Sequence, residues 1–203
     1  MARTVLALKT SLSGAGALSS RLVEQFVATL AGHGDGLPLR VVERDLAAAP
    51  LPHLTAERFA ALTTPAERRT PAQAGVVAES DALVAELQAA DVIVIGLPMY
   101  NFGVPSTLKT YFDHVARAGV TFRYTAEGPR GLLTGKKAYV VATRGGRYSG
   151  TPQDLQSAYV RQFLGFIGID DVEFVYAEGL ALGDESRAAA IAAARQRLEQ
   201  LAA

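Results

Sequence analysis

Asp91-Val92-Ile93-Val94-Ile95-Gly96-Leu97-Pro98-Met99-Tyr100-Asn101-Phe102-Gly103-Val104-Pro105-Ser106-Thr107-Leu108-Lys109 decides the fold. Residues 92–95 form an unbroken apolar, β-branched run, which suits a strand buried on both faces of a parallel sheet. Pro98, Asn101, Gly103 and Pro105 then stop the strand. Among them stand Met99, Tyr100 and Phe102, which a purely structural loop has no need to expose. Pro105 suits a helix start because the first turn leaves its missing N–H unneeded, and Leu108, Tyr111, Phe112 and Val115 follow at helical spacing. In open parallel sheets ligands bind outside the carboxyl ends of the strands, where this aromatic loop is expected.

Working outward, the 203 residues suffice for a single α/β domain over 1–203 with an ordinary core. Lys plus Arg equals Asp plus Glu at 20 each, so charge favours neither a nucleic acid nor a membrane surface as partner and leaves small molecules. The chain has no cysteine, which excludes disulfides, thiolate metal sites and a catalytic thiol, so redox chemistry requires a cofactor. The amino-terminal apolar run is too short for a signal peptide, and no stretch reaches the length of a membrane span. A soluble, cytoplasmic protein is expected.

Residues 4–8 form a first strand, followed by a loop with Thr10, Ser11, Ser13, Gly14 and Gly16 that lets backbone approach an anion closely. The next helix carries Leu22, Val23, Phe26, Val27 and Leu30 on one stripe, with Ser19 or Ser20 as its cap, and its positive end faces the loop. No lysine follows Gly14 or Gly16 before the helix, so the loop is not a Walker motif. Gly14-Ala15-Gly16-Ala17-Leu18-Ser19 matches the dinucleotide fingerprint only in part, because serine stands where the third glycine or alanine belongs.

Residues 39–42 give a second strand ending in the charged run Glu43-Arg44-Asp45, and short helices are expected in the proline-dotted stretch 47–70. Residues 71–90 are helical in pattern. Residues 118–125 and the turn-rich 127–131 predict a hairpin excursion. Residues 138–142 are the fourth parallel strand, closed by Thr143-Arg144-Gly145-Gly146, whose adjacent N–H groups suit a negative charge. A helix with Leu155, Tyr159, Phe163, Leu164 and Ile167, a fifth strand over 172–177 and a terminal helix over 184–201 complete the chain. Five strands alternating with helices predict a doubly wound, flavodoxin-like three-layer sandwich of order 2-1-3-4-5. That order brings the loops after strands one, three and four to one rim.

With those loops in view, the chain resembles the FMN-dependent NADH:quinone oxidoreductases, also called azoreductases. The resemblance rests on PMYNF at 98–102, LK-x-YFD at 108–113, ARAGVTFRYT at 116–125, TGKKA at 134–138, RGG at 144–146 and FLGFIGI at 163–169. It implies FMN with its phosphate at Ser11 and the turn Ala17-Leu18-Ser19. The isoalloxazine would lie against Met99, Tyr100, Asn101 and Phe102, with its pyrimidine edge at Thr143, Arg144, Gly145 and Gly146. It implies ping-pong transfer of two electrons from NADH or NADPH to quinones or aromatic azo compounds with no nucleophilic side chain, in a homodimer with FMN at the subunit interface. Two departures stand out. Ala17 replaces a serine common in relatives, removing a hydroxyl contact to phosphate, and Tyr148 replaces a frequent histidine.

A one-electron carrier shares the fold, but carriers of flavodoxin type tend to be strongly acidic and this chain is neutral. A nicotinamide dehydrogenase without flavin leaves the second and third loops unexplained. A phosphodiesterase would need His33, His53 and His114 together. They are scattered in sequence and read as surface or satisfied histidines.

Overall fold

In the computed structural model, which describes residues 2–33 and 38–203, all seven residues of the strand at Val92–Pro98 are buried. It is the third strand, β3, and the middle of a five-stranded parallel sheet. Before it come β1 (Arg3–Lys9), α1 (Leu18–Gly32), β2 (Leu39–Asp45), α2 (Ala56–Thr63) and α3 (Pro71–Ala89). After it come α4 (Ser106–Val115), a hairpin of β4 (Phe122–Thr125) and β5 (Gly128–Gly131), then β6 (Lys137–Thr143), α5 (Leu155–Ile167), β7 (Asp171–Ala177) and α6 (Asp184–Ala202).

The sheet order is β2-β1-β3-β6-β7. The expected order 2-1-3-4-5 is corrected in its numbering, because the excursion contributes β4 and β5 as an antiparallel pair outside the main sheet. Alternation along β3 sends Ile93, Ile95 and Leu97 to one face with α3, α4 and α5, and Val92 and Val94 to the other with α1 and α6. Both faces are therefore covered, as an all-parallel sheet requires.

Strand β2 runs through the charged residues to Asp45 instead of ending at Val42. Its side chains are satisfied across the edge: Lys9 pairs with Glu43 at 2.7 Å and Glu24 at 2.5 Å, and Arg44 with Glu86 at 2.6 Å. Of the short helices expected over 47–70, α2 forms behind the Thr55 cap, and a single 3-10 turn follows at Ala66–Arg68. Helix α3 starts with a capping box between Thr70 and Gln73 and Pro71 in its first turn. The hairpin is pinned to the end of α5 by Leu132 and Leu133 N–H groups donating to the Ile167 carbonyl at 3.1 and 2.9 Å. A Cβ on Gly131 would lie 2.0 Å from the Gly168 nitrogen, so only glycine permits this contact. No described helix is long and apolar enough to cross a membrane.

Candidate functional site

The loop after β3 turns tightly at Asn101-Phe102, with φ of 50° and 65°. Tyr100 and Gly103 exchange both backbone hydrogen bonds, at 3.2 and 2.9 Å. This is the two-residue hairpin turn that needs positive φ at both central positions. Asn tolerates that conformation, whereas a bulky Phe rarely adopts it, and such strain persists only where its surroundings enforce it. Four contacts enforce it here. Met99 N–H donates to Thr143 O at 3.0 Å. Gln156 Nε2 donates to Pro98 O at 2.9 Å and Gly103 O at 3.1 Å. Tyr100 Oη shares a hydrogen bond with Ser11 Oγ at 3.2 Å. The result is a Phe102 ring 51 % exposed on the rim, edge-on to Tyr148 with centroids 5.7 Å apart.

In the loop after β1, a 3-10 turn at Gly14–Gly16 leads into α1. The expected cap at Ser19 or Ser20 is corrected: Ala17 is the N-cap and offers no side-chain hydrogen bond. The helix starts earlier than expected, so both serines fall in its first turn. Ser20 Oγ donates back to Gly14 O at 3.0 Å and braces the loop. Ser19 is 1 % exposed, and its Oγ has no hydrogen-bond partner among the described residues. A buried hydroxyl without a partner is rare and marks a place where a ligand or water completes it. The first N–H groups of α1 share that end, which favours an anion. Helix and β3 meet closely there, since a Cβ on Gly96 would come within 3.2 Å of Val23 and 3.3 Å of Ser19 O. Ser11 is buried beside this turn; its Oγ also accepts from Ser13 N–H at 3.3 Å.

The loop after β6 divides into an inward and an outward part. The Arg144 side chain is 1 % exposed and turned into the protein, away from the rim at which its backbone segment was expected. Its guanidinium donates to Asp154 Oδ1 at 2.8 Å, Glu178 Oε1 at 3.0 Å, Ser157 Oγ at 2.9 Å and Gln156 Oε1 at 3.3 Å, and lies 5.0 Å from the Tyr176 ring centroid. Its backbone is engaged too, its N–H with Ala177 O and its C=O with Leu180 N–H. Burial alone would raise the Asp154 carboxyl, but hydrogen bonds from Arg144 and Ser157 outweigh it and hold the group below its ordinary value. The outward part is Gly145-Gly146, whose N–H groups donate to no acceptor among the described residues. Tyr148 covers Gly146, where a Cβ would meet its Oη at 2.7 Å.

The structure thus brings Ser11, Ser19, residues 99–102 and residues 143–146 to the carboxyl ends of β1, β3 and β6, with the Arg144 side chain turned inward. The sequence reading missed Gln156 and Glu178. Neither belongs to a loop motif, and each acts through partners far away in the chain. Asp154 alone carried a local signal, as an acid standing at a helix start. The histidines do not assemble. His33 and His53 are exposed, while His114 is buried, with Nδ1 2.8 Å from Thr110 O and Nε2 3.4 Å from Arg58 Nη2. No group of potential metal ligands occurs among the described residues.

A family model for the flavodoxin-like fold matches residues 3–202. The chain is 54% identical over 195 residues to an FMN-dependent NADH:quinone oxidoreductase 6 of Burkholderia lata, covering 96% of this chain and 98% of that one. It is 52% identical over 200 residues to an FMN-dependent NADH:quinone oxidoreductase of Cellvibrio japonicus, covering 97% of each. Among solved structures it superposes on an azoreductase from Bacillus anthracis str. Sterne with a TM-score of 0.88 at 30% identity, covering 100% of this chain and 99% of that one. A second azoreductase, AzrA, gives a TM-score of 0.88 at 33% identity, with 98% of each chain covered. Sheet and rim define a flavodoxin-like protein, and within that class the chain belongs to the family of FMN-dependent NADH:quinone oxidoreductases and azoreductases.

Proposed function

We propose that this chain is an FMN-dependent oxidoreductase that moves two electrons from NADH to quinones and reductively cleaves aromatic azo compounds to amines. The observation that carries the reading is the convergence on one rim of three unlike features. They are a buried hydroxyl at a helix start and two adjacent N–H groups, all without partners among the described residues, and an exposed aromatic turn held in strain. Relatives at 52–54% identity bear the name of this activity.

Each feature fits a different part of FMN. Ser19 Oγ, the first N–H groups of α1 and the neighbouring Ser11 suit its phosphate, and Ala17 and Leu18 form the turn around it. Met99 and the Phe102 ring offer an apolar cover for a flat heterocycle, with Tyr100 and Asn101 completing the turn. Gly145 and Gly146 leave N–H groups free for a ligand, and Thr143, which precedes them, is tied to the aromatic turn by the hydrogen bond from Met99 N–H. Donors placed in advance stabilise negative charge that gathers on a ring during reduction. FMN held by these residues would supply the two-electron redox chemistry that the side chains themselves lack. The protein binds, orients and shields; it needs no nucleophile.

We also infer a homodimer. Phe59 and Tyr124 are exposed at 58 % and 75 % beside a hollow of about 700 Å³ between α2, α4 and the hairpin. Phe163 and Phe166 are half-buried, packed on Phe112 and Phe122 with one side left open. A second copy covers such surface, and sedimentation as a monomer at micromolar concentration would contradict the inference. With NADH as donor, the cytoplasm is the expected location.

The test is the visible spectrum of the purified protein mixed with FMN and then, anaerobically, with NADH. A bound-flavin band should bleach with NADH and return on addition of a quinone. Absence of flavin binding sinks the reading, and a flavin that bleaches but passes electrons on only singly favours a carrier.

A further inference from the structure

We propose that Gln156 is a positioning residue that joins the aromatic turn and the Gly-Gly loop into one rigid body, setting the width of the cleft before any ligand arrives. The proposal rests on the FMN reading for its consequence and on the protein's own hydrogen bonds for its content.

Gln156 lies in the first turn of α5 and is 1 % exposed. Its carboxamide faces two ways. The oxygen accepts from Arg144 Nε at 3.3 Å, and the nitrogen donates to the carbonyls of Pro98 at 2.9 Å and Gly103 at 3.1 Å. Pro98 ends β3 and Gly103 closes the strained turn, so one amide group holds that turn at both feet.

Arg144 continues the connection. Its Nη1 reaches Glu178 Oε1 at 3.0 Å, and that same oxygen accepts the N–H groups of Tyr148 at 2.9 Å and Ser149 at 3.0 Å. A continuous chain of buried and half-buried hydrogen bonds therefore runs from residues 148–149 through Glu178, Arg144 and Gln156 to residues 98–103. Its two ends carry Tyr148 and Phe102, the rings that face each other across the rim. The carboxamide supplies what the place uses, an oxygen that accepts from a guanidinium and an NH₂ whose two N–H groups donate to two carbonyls. A carboxylate would put oxygen against oxygen at Pro98 and Gly103. Fixing loops before binding removes the cost of ordering them on binding.

The experiment compares Gln156→Met, which keeps volume and deletes the amide, with Gln156→Glu, which keeps only the acceptor. Leu198→Ala, in α6 on the other face of the sheet, serves as a control of comparable destabilisation. In the flavin-free protein, amide hydrogen exchange at Tyr100 and Gly103 should accelerate about tenfold or more in both Gln156 variants, corresponding to loops released locally and not by global unfolding. Exchange at Tyr148 and Ser149 should accelerate in Gln156→Met and stay slow in Gln156→Glu. The dissociation constant for FMN should rise about tenfold in Gln156→Met and not in Leu198→Ala. Unchanged exchange at Tyr100 and Gly103 would overturn the proposal, as would equal FMN affinity in Gln156→Met and Leu198→Ala. If the wild-type protein binds no FMN, the functional reading fails and the exchange comparison still decides this one.

Discussion

The two ends of the parallel sheet both carry polar and charged groups, and they differ in how far those groups are already engaged. At the amino end a cavity of about 580 Å³ includes Arg3, Asp91, Lys136, Lys137, Asp170 and Asp171. Asp91 accepts Thr4 N–H at 2.7 Å; Lys136 donates to Gln88 O and Ala90 O at 2.8 and 2.6 Å, closing the end of α3; Lys137 pairs with Asp171 at 3.4 Å. These groups hold the protein's own backbone or each other. At the carboxyl end the buried Ser19 Oγ and the N–H groups of exposed Gly145 and half-buried Gly146 have no partner among the described residues, and Phe102 is held at φ 65°. A buried hydroxyl without a partner and a strained turn mark the carboxyl end, because folding alone selects against both.

The largest effect is expected at Arg144. Arg144→Met should cost about 3–5 kcal/mol by urea denaturation, because Asp154 and Glu178 lose their buried counter-charge. A loss under about 1 kcal/mol would mean that the rim's support is no stronger than surface pairing. The same pair has a pH signature. Asp154 titrates below its ordinary 3.8 in the folded state, so its stabilisation is present above 3.8 and disappears as pH falls through the lower, folded value. Urea midpoints followed through that acid range should fall in the wild type, with a smaller fall in Arg144→Met.

Ser19→Ala comes next, and it separates binding from stability. Removing a hydroxyl that has no partner should leave the flavin-free protein as stable as before, while FMN binds about tenfold more weakly by fluorescence titration, about 1.4 kcal/mol. Lost stability with unchanged FMN affinity would reverse the contrast between the two ends. Lys136→Met should do the opposite, costing about 1 kcal/mol in thermal or urea unfolding and leaving FMN affinity unaltered. The smallest effect is expected for Asn101→Gly. Relief of left-handed strain of about 1 kcal/mol, less the extra chain entropy of glycine, should raise flavin-free stability by about 0.5 kcal/mol.

The framework was legible because it follows from local pattern. β-branched runs at 92–95 and 138–142, a proline before α4 and small residues after β1 each act within a few positions of themselves. The three loops of the candidate site were legible for the same reason: residues that stop a buried strand and then expose aromatics or glycines leave a local mark. The helix boundary at α1 was less so, because Ala17 caps without a side chain and the serines that follow it look like caps. The extent of β2 was hidden as well, since Glu43 and Arg44 belong to a strand only when Lys9 and Glu86 stand beside them.

What the sequence determined by itself is the alternating α/β order, the buried central strand, the loops that gather at the strands' carboxyl ends and, through its motifs, the family. The tertiary structure alone decided that Arg144 faces inward, that Gln156 holds the aromatic turn, and that Glu178 secures residues 148–149. The division has a physical cause. Strand burial and turn chemistry are set by neighbours in the chain. A buried guanidinium or carboxamide is set by whichever donors and acceptors the packed elements place around it, and those partners lie up to 58 residues away.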